Sequence, residues 1–213
     1  MANYQPIVRA TVIDIQNDRP KISDRFLVDT NAWYWLTYVR SSQTSRPPKF
    51  YQIREYPRYL KSALKSQSEL LWSGLSIGEL AALIERSEYD IFCQINRLNP
   101  QSFSLKEYRH GYIQERINKV ISETTIVWDL IRSFGNCLDT IINASTITQT
   151  IANLNIQAVD GYDALMVDAM NKAGINQVIT DDIDFVTVPG ITIFTANRNA
   201  IAAAIAQNKL IIR

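Results

Sequence analysis

The sequence predicts an α/β protein with three layers, in which helices cover both faces of a central parallel sheet. Short apolar runs have the length and the β-branched or aromatic content of buried strands, and they lie at residues 9–15, 25–28, 70–76, 177–180 and 190–194. Helical patterns separate most of these runs, and strands that alternate with helices form parallel sheets. Two runs end in aspartate. Ligands bind beyond the carboxyl ends of such strands, so we expect a functional site there.

Composition indicates a globular chain without zinc chemistry. The 213 residues suffice for one domain with an elaboration, and 46% hydrophobic and 20% charged residues are ordinary values. Cys93 and Cys137 are isolated, without the spacing of metal ligands, and His110 is the single histidine. No apolar run approaches 18 residues and no charged-then-apolar leader begins the chain, so we expect a cytoplasmic protein that does not enter membranes.

The N-terminal part divides into residues 1–24, which form either an added edge strand or a poorly ordered arm, and a domain that begins with the strand 25–28. Asp29 follows that strand directly, and Thr30 and Asn31 lead into a helix. Asp29 is therefore either an N-cap or a ligand at the mouth of the sheet, and the two roles are compatible.

Residues 40–65 form a basic tract with interleaved aromatic side chains. We consider five of its cations as candidate contacts to phosphate, namely Arg40, Arg46, Lys49, Arg54 and Arg58. The aromatic residues that can stack on bases are Phe50, Tyr51, Tyr56 and Tyr59. The alternative is a solvated helix whose tyrosines pack inward. Pro57 is predicted to open that helix, which continues to about residue 67.

The strand 70–76 leads into a helix predicted over residues 77–86, with Ser76 as its cap. Ser76 and Glu79 match a capping box, which is one explanation of Glu79. The other is a site role, because the first turn of a helix that follows a strand lies at the site's edge of the sheet. Glu85 and Glu88 are expected to face solvent.

Residues 90–146 are predicted to be a mostly helical insertion in the domain 25–213. A long apolar pattern begins at Ser104. His110 lies within it, and a lone histidine there has no assigned role. Arg109 and Arg116 can share a face with substrate, although a salt-bridged surface is the default interpretation.

The last third of the chain carries the densest group of acids. A helix with Asp163 in its first turn ends at Gly174, and the strand 177–180 is followed by Asp181, Asp182 and Asp184. After the strand 190–194 and a helix over residues 200–206, the tail 210–213 either adds a strand or pairs between subunits of a homodimer.

Together these carboxylates predict a metal site of hard oxygen ligands. Right-handed crossovers bring the turns after the strands to one edge of the sheet, where the acids converge without a histidine or thiolate. Such sites suit Mg²⁺ or Mn²⁺, and two such ions can activate water for in-line displacement at a phosphodiester. The sequence contains no phosphate-binding loop of the G-x-x-x-x-G-K-[ST] type.

The acids stand in motifs that resemble those of the PIN domain family of metal-dependent ribonucleases. In order, the motifs are Val28-Asp-Thr-Asn31, Ser76-x-x-Glu79-Leu, Asp163-Ala-Leu-Met-Val-Asp-Ala and Val178-Ile-Thr-Asp-Asp-Ile-Asp-Phe185, within residues 25–195. The resemblance implies that Asp29, Glu79 and Asp163 are the first three catalytic, metal-binding acids. Asp182 is favoured as the fourth, with Asp184 as the alternative and Asp181 as a poorer candidate. Thr30 and Thr180 match positions that support the acids by hydrogen bonding, and Asn31 lies beside them.

The resemblance implies RNA as the substrate and includes the VapC-type toxins, whose antitoxin would be a separate chain. This chain is longer than the small toxins in its N-terminal part and in its helical insertion. A non-catalytic RNA- or protein-binding module that retains the PIN fold is the alternative. A phosphatase that uses Asp29 as nucleophile is disfavoured, because Asn31 stands where its second aspartate is expected.

Overall fold

The central layer of the protein is a parallel sheet. A computed structural model of the chain describes residues 6–213, and within them six strands form the sheet. The strands are β1 (Thr11–Asp14), β2 (Arg25–Val28), β3 (Glu69–Ser73), β4 (Asn136–Leu138), β5 (Gln177–Ile179) and β6 (Thr192–Thr195). Their order is β1-β6-β5-β2-β3-β4, and all neighbours are parallel. The predicted α/β class with a parallel sheet is confirmed.

Helices cover both faces of this sheet. They are α1 (Thr30–Thr37), α2 (Phe50–Lys65), α3 (Ser76–Asn96), α4 (Leu105–Gly111), α5 (Ile113–Arg116), α6 (Ser122–Phe134), α7 (Ala144–Leu154), α8 (Gly161–Lys172) and α9 (Arg198–Ala206). Successive strand residues point to opposite faces. Leu27 and Val178 pack with α8 and α9, whereas Phe26 and Ile179 pack with α1, α2, α3 and α6. Both faces are apolar, as expected for a three-layer α/β/α protein.

The N-terminal strand lies at the edge of the sheet. β1 pairs with β6, and the tail then pairs with β1 through a parallel bridge between Val12 and Leu210 and a hydrogen bond of 2.9 Å from the Ile211 N–H to the Val12 carbonyl. Residues 11–14 are therefore an edge strand, and the first five residues of the predicted arm lie outside the described part. The tail makes its pairing within its own chain.

The expectation that Glu85 and Glu88 face solvent is wrong. Helix α3 continues to Asn96, beyond the predicted end, and both carboxylates are buried. Arg109 and Arg116 pair with Glu85, which agrees with the salt-bridged interpretation of these two arginines, and Arg40 pairs with Glu88. A buried carboxylate is tolerated when a cation compensates its charge. The sequence shows that these residues are charged, but it does not show which of them pair.

The insertion also contains a strand that the sequence analysis missed. After α6 the chain adds β4 to the edge of the sheet beside β3. Gly135 enables this, because a Cβ atom there would lie 2.5 Å from the Leu70 carbonyl oxygen. The long helix expected from Ser104 is also divided. It ends first at Gly111, and a π-helical segment at Ile117–Ile121 precedes α6.

Helix α2 begins at Phe50, so the prediction that Pro57 opens it is wrong. The side chain of Gln52 accepts a hydrogen bond of 2.8 Å from the Lys49 N–H at its start, and Pro57 lies inside the helix. Tyr56 and Tyr59 of this helix are buried. None of the described helices combines the length and apolar character that crossing a membrane requires.

Candidate functional site

The candidate site lies at the point where the strand order reverses. From β2 the chain moves outward to β3 and β4, and it returns on the other side of β2 to form β5 and then β6, which lies beside the N-terminal edge strand β1. The connection after β2 packs on one face of the sheet, and the segment after β5, with Phe185 and Val186, packs on the other. The two connections diverge and leave a crevice at the carboxyl ends of β2 and β5, where α/β proteins bind ligands.

A cavity of about 380 Å³ occupies this crevice, and we call it the acidic cavity. It is lined by the predicted acids Asp29, Glu79, Asp163 and Asp182, together with the predicted supporting residues Thr30 and Asn31. The sequence analysis missed Asp160, Tyr162 and Arg86, which also line it. Two of these residues could have been found from the sequence. Asp160 immediately precedes α8, and Arg86 lies two turns after Glu79 on the same helix face.

Asp29 is the most buried of these acids. It is the N-cap residue of α1, but its side chain makes no capping hydrogen bond. Its carboxylate therefore takes part in the lining of the cavity instead of closing the end of the helix. Its Oδ2 atom accepts a hydrogen bond of 2.9 Å from the Thr180 hydroxyl. Burial raises the pKa of Asp29 to about 7, the hydrogen bond from Thr180 opposes this rise, and the negative charges of Glu79 and Asp182 add to it.

Glu79 is held by Thr30, and the predicted capping box is absent. The N-cap position of α3 is Leu75, whose side chain cannot accept a hydrogen bond. The buried Ser76 hydroxyl has no hydrogen-bond partner within residues 6–213. The Thr30 hydroxyl instead donates a hydrogen bond of 2.5 Å to Oε2 of Glu79. Burial raises the pKa of Glu79. The glutamate is thus turned toward the strand end of β2.

Asp163 lies in the first turn of α8 and is half-buried. Burial raises the pKa of Asp163 to about 8, and the nearby charges of Asp29, Asp160 and Asp182 raise it further. Asp160 caps the same helix, because its Oδ1 atom accepts hydrogen bonds from the N–H groups of Tyr162 and Asp163 at 2.8 and 2.9 Å. The pKa values of Asp29 and Asp163 are thus both raised toward neutral pH, chiefly by burial and further by the negative charges around them.

The three aspartates after β5 have different surroundings. Asp182 is exposed and lines the acidic cavity, and its N–H donates to the Thr180 hydroxyl at 2.9 Å. Asp184 is exposed, and its N–H donates a hydrogen bond of 2.8 Å to Oδ1 of Asp182. Asp184 is not among the residues that line the cavity. Asp181 is turned toward α2, where it accepts hydrogen bonds from Tyr51, Gln52 and Tyr56. The geometry thus favours Asp182 as the fourth acid.

The chemistry of the lining fits a hard divalent cation. The acids offer carboxylate oxygens, which Mg²⁺ and Mn²⁺ prefer. The pKa values of Asp29, Glu79 and Asp163 are raised chiefly by burial and also by neighbouring negative charges. Within residues 6–213, however, no three histidine, cysteine, aspartate or glutamate side chains are grouped closely enough to enclose a metal ion. A cation held by these residues would therefore have to draw the carboxylates together.

Three of the five cations that we considered as phosphate contacts in the basic tract are engaged by acids. Arg40 pairs with Glu88 at 2.9 Å, and Arg54 and Arg58 each pair with Glu55 at 2.6 Å. Lys49 and Arg46 are exposed, and Arg46 lines a second cavity described below. The aromatic residues follow the inward alternative, since Tyr56 and Tyr59 are buried and Tyr51 donates to Asp181, although Phe50 is exposed beneath Arg54.

The fold and the site define a three-layer α/β/α protein with a carboxylate-lined cavity at the reversal of its strand order. Comparison with protein-family models gives no match for the chain, and neither curated proteins nor solved structures match it. The geometry of this site is therefore the basis for the functional inference.

Replacing Thr180 by valine is expected to raise the pKa of Asp29 from about 7 by roughly one to two pH units. Valine keeps the shape but removes the hydroxyl that stabilises the ionised carboxylate, and a hydrogen bond to a charged group contributes about 1.5–3 kcal/mol. Titration of carboxyl carbons by NMR in EDTA measures this pKa. Thr37→Val is the matched control, because its buried hydroxyl donates to the Trp33 carbonyl instead. An unchanged Asp29 pKa in Thr180→Val would contradict the assigned hydrogen bond.

Proposed function

We propose that the protein is a Mg²⁺- or Mn²⁺-dependent endoribonuclease of the PIN type that hydrolyses phosphodiester bonds of RNA. The observation that carries this proposal is the convergence of Asp29, Glu79, Asp163 and Asp182 on one cavity. These acids come from four separate segments of the chain, and they line the crevice in which α/β proteins bind ligands. Their order along the chain is the order of the motifs that resemble the PIN family.

The roles of the residues follow from their surroundings. Bound divalent cations would supply activation of water and stabilisation of the leaving oxygen. Asp29, Glu79, Asp163 and Asp182 would hold them through carboxylate oxygens. Thr180 orients Asp29 through its hydroxyl, and Thr30 orients Glu79. Arg86, at the rim of the same cavity, supplies a guanidinium that can contact a phosphate of the substrate.

The proposal includes a cellular setting that follows from the resemblance alone. A cytoplasmic toxin would be held inactive by a separate antitoxin chain. The length of the helical insertion weighs against the small-toxin role more than against the nuclease chemistry.

A second candidate function is a non-catalytic RNA- or protein-binding module. One observation favours it: within the described residues the acids are not already grouped around a metal position. This candidate predicts that RNA binding persists when Asp29 is replaced by asparagine, and that neither form cleaves RNA.

The test is RNA cleavage by the purified protein with Mn²⁺, with Mg²⁺ or with EDTA. We expect cleavage of single-stranded RNA with either metal and none in EDTA, because the proposed reaction depends on bound divalent cations to activate the attacking water. An Asp29→Asn preparation made in the same way controls for a contaminating nuclease. Intact RNA in both metals, across several unrelated substrates, would refute the proposal and favour the binding module.

A further inference from the structure

A second and larger cavity adjoins the acidic cavity, and we call it the adjoining pocket. Its volume is about 680 Å³, within the range of about 300–1,000 Å³ that is typical of small-molecule sites. The two cavities share Asn31, Leu83 and Arg86 in their linings. A polymer whose phosphate lies in the acidic cavity would therefore place its neighbouring unit in the adjoining pocket.

The floor of the adjoining pocket is aromatic. Tyr34 and Trp35 of α1 and Tyr89 of α3 contribute to its lining. Trp35 is half-buried and packs against Tyr56, with ring centroids 5.1 Å apart, so its indole is held in position by the core. A flat, positioned aromatic ring in a pocket of this kind is a surface on which a nucleobase can stack.

One wall of the pocket is formed by residues 44–48 and is fastened to α3. Asp90 accepts hydrogen bonds from the backbone N–H and, at 2.8 Å, from the hydroxyl of Ser45. Gln94 donates to Asp90 at 3.0 Å and to the Gln43 carbonyl at 3.2 Å. The wall is therefore formed before any ligand arrives, and it places Arg46 beside the pocket.

Many polar groups of the pocket are already engaged. The Tyr34 hydroxyl bonds with Ser87, the Tyr89 hydroxyl with the Phe103 carbonyl, and the Gln52 amide with Asp181. By contrast, Arg46 and Arg86 are exposed and make no ion pair within residues 6–213, whereas Arg40, Arg54 and Arg58 are each paired with a glutamate. Arg46 and Arg86 are therefore available to a ligand of the pocket.

We propose that the adjoining pocket binds one nucleobase of the RNA, namely that of a nucleotide next to the bond that is cut. The base stacks on Trp35, Arg46 contacts a backbone phosphate, and Arg86 contacts the phosphate that passes between the two cavities. This inference rests on the proposed function, and it identifies Trp35 as a substrate-binding residue outside the acidic motifs.

The first test measures RNA binding in EDTA, so that its outcome is independent of cleavage. A fluorescein-labelled single-stranded RNA is titrated with the full chain, and Trp35→Leu is expected to weaken binding about 5- to 150-fold, the range for loss of one base–aromatic stack. Trp35→Phe, which keeps an aromatic face, is expected to restore most of the affinity. Trp128→Leu is the matched control, because it removes another half-buried indole, one that packs on Trp72 in a different part of the fold.

A base-deleted RNA makes the test specific to stacking. Replacing one nucleotide at a time by an abasic unit should reveal one position at which wild-type binding weakens about as much as in Trp35→Leu. At that position the Trp35→Leu protein should lose almost no further affinity, because base and indole form one interaction. Circular dichroism establishes that each variant is folded.

The outcomes separate this inference from the proposed function. Wild-type affinity in Trp35→Leu, or an equal loss in Trp128→Leu, would overturn the base-binding pocket even if the protein cleaves RNA. A Trp35-dependent loss together with uncleaved RNA would support the pocket and refute the nuclease. Arg46→Gln is expected to weaken binding and to reduce its dependence on salt, whereas Arg132→Gln, on α6, should change neither.

Discussion

Asp29→Asn is expected to lower the rate of RNA cleavage by a factor of about 10³ and, at the same time, to stabilise the metal-free protein at pH 8. The loss of rate follows because asparagine has no charge with which to hold a divalent cation, and metal-ion catalysis supplies several kcal/mol of stabilisation to the transition state. The gain in stability follows because the wild-type carboxylate is buried among other acids.

The sign of the pH dependence follows from the direction of the pKa shift. The pKa of Asp29 is raised from 3.8 to about 7, so between these pH values the folded protein binds more protons than the unfolded chain. Its stability is therefore full below about pH 4 and is lost as the pH rises through 7. With ~1.4 kcal/mol for each pH unit, the loss amounts to up to ~4 kcal/mol. The Asp29→Asn protein lacks this contribution.

Urea unfolding in EDTA between pH 5 and 8.5 measures this effect. The wild-type free energy of unfolding should decline across the range, and that of Asp29→Asn should decline less, because the pKa of Asp163 is still raised by burial. Adding Mn²⁺ should restore wild-type stability at pH 8. Asp129→Asn, an exposed substitution on α6, should match wild type in both assays. Parallel pH curves for wild type and Asp29→Asn would contradict the assigned environment of Asp29.

Arg213→Ala is expected to lower the free energy of unfolding by about 3–5 kcal/mol, the range for removing one partner of a buried ion pair. The guanidinium of Arg213 donates two hydrogen bonds to Asp18, at 2.7 Å from Nε and 2.9 Å from Nη2. It donates two more to Asp24, both at 2.7 Å, from Nη1 and Nη2. The side chains of both aspartates are almost completely buried. Without the arginine, two carboxylates remain in the interior with insufficient compensation.

The same arginine supports the edge of the sheet and the packing between layers. Its guanidinium lies over the Phe194 ring of β6, 4.5 Å from the centroid, and the tail that carries it pairs with β1. Burial tends to raise the pKa of Asp24, but hydrogen bonds from Arg213 and the Lys21 N–H hold it below 3.8. This stability is present above the unfolded pKa and is lost only as the pH falls below about 4.

Urea unfolding at pH 7 measures the effect, with Arg198→Ala as the matched control. Arg198 is exposed and lies 3.6 Å from Asp14, so its loss should cost less than about 1 kcal/mol. Arg213→Lys should fall between wild type and Arg213→Ala, because an ammonium keeps the charge but cannot bond both aspartates with a planar fork. A loss below 1 kcal/mol in Arg213→Ala would show that solvent screens this cluster.

Five of the six strands within residues 6–213 could be predicted from sequence, because their signal is local. Alternating helices and short apolar runs define the class, and the runs 25–28 and 177–180 correspond to β2 and β5. β4 could not be predicted in this way. Its three residues carry no periodic pattern, and they become a strand only because Gly135 allows the backbone to approach Leu70.

The sequence by itself determined the α/β class, the central strands and the acids that follow them. These are properties of neighbouring residues, namely apolar runs, helix ends and aspartates at strand ends. Only the tertiary structure decided which aspartate after β5 lines the cavity, that Glu79 is held by Thr30 rather than by a capping box, and that Glu85 and Glu88 are buried. It also decided that Arg46 and Arg86, rather than Arg54 or Arg58, border the cavities. The physical reason is that charge pairing and burial depend on partners distant in the chain, and a local pattern cannot specify them.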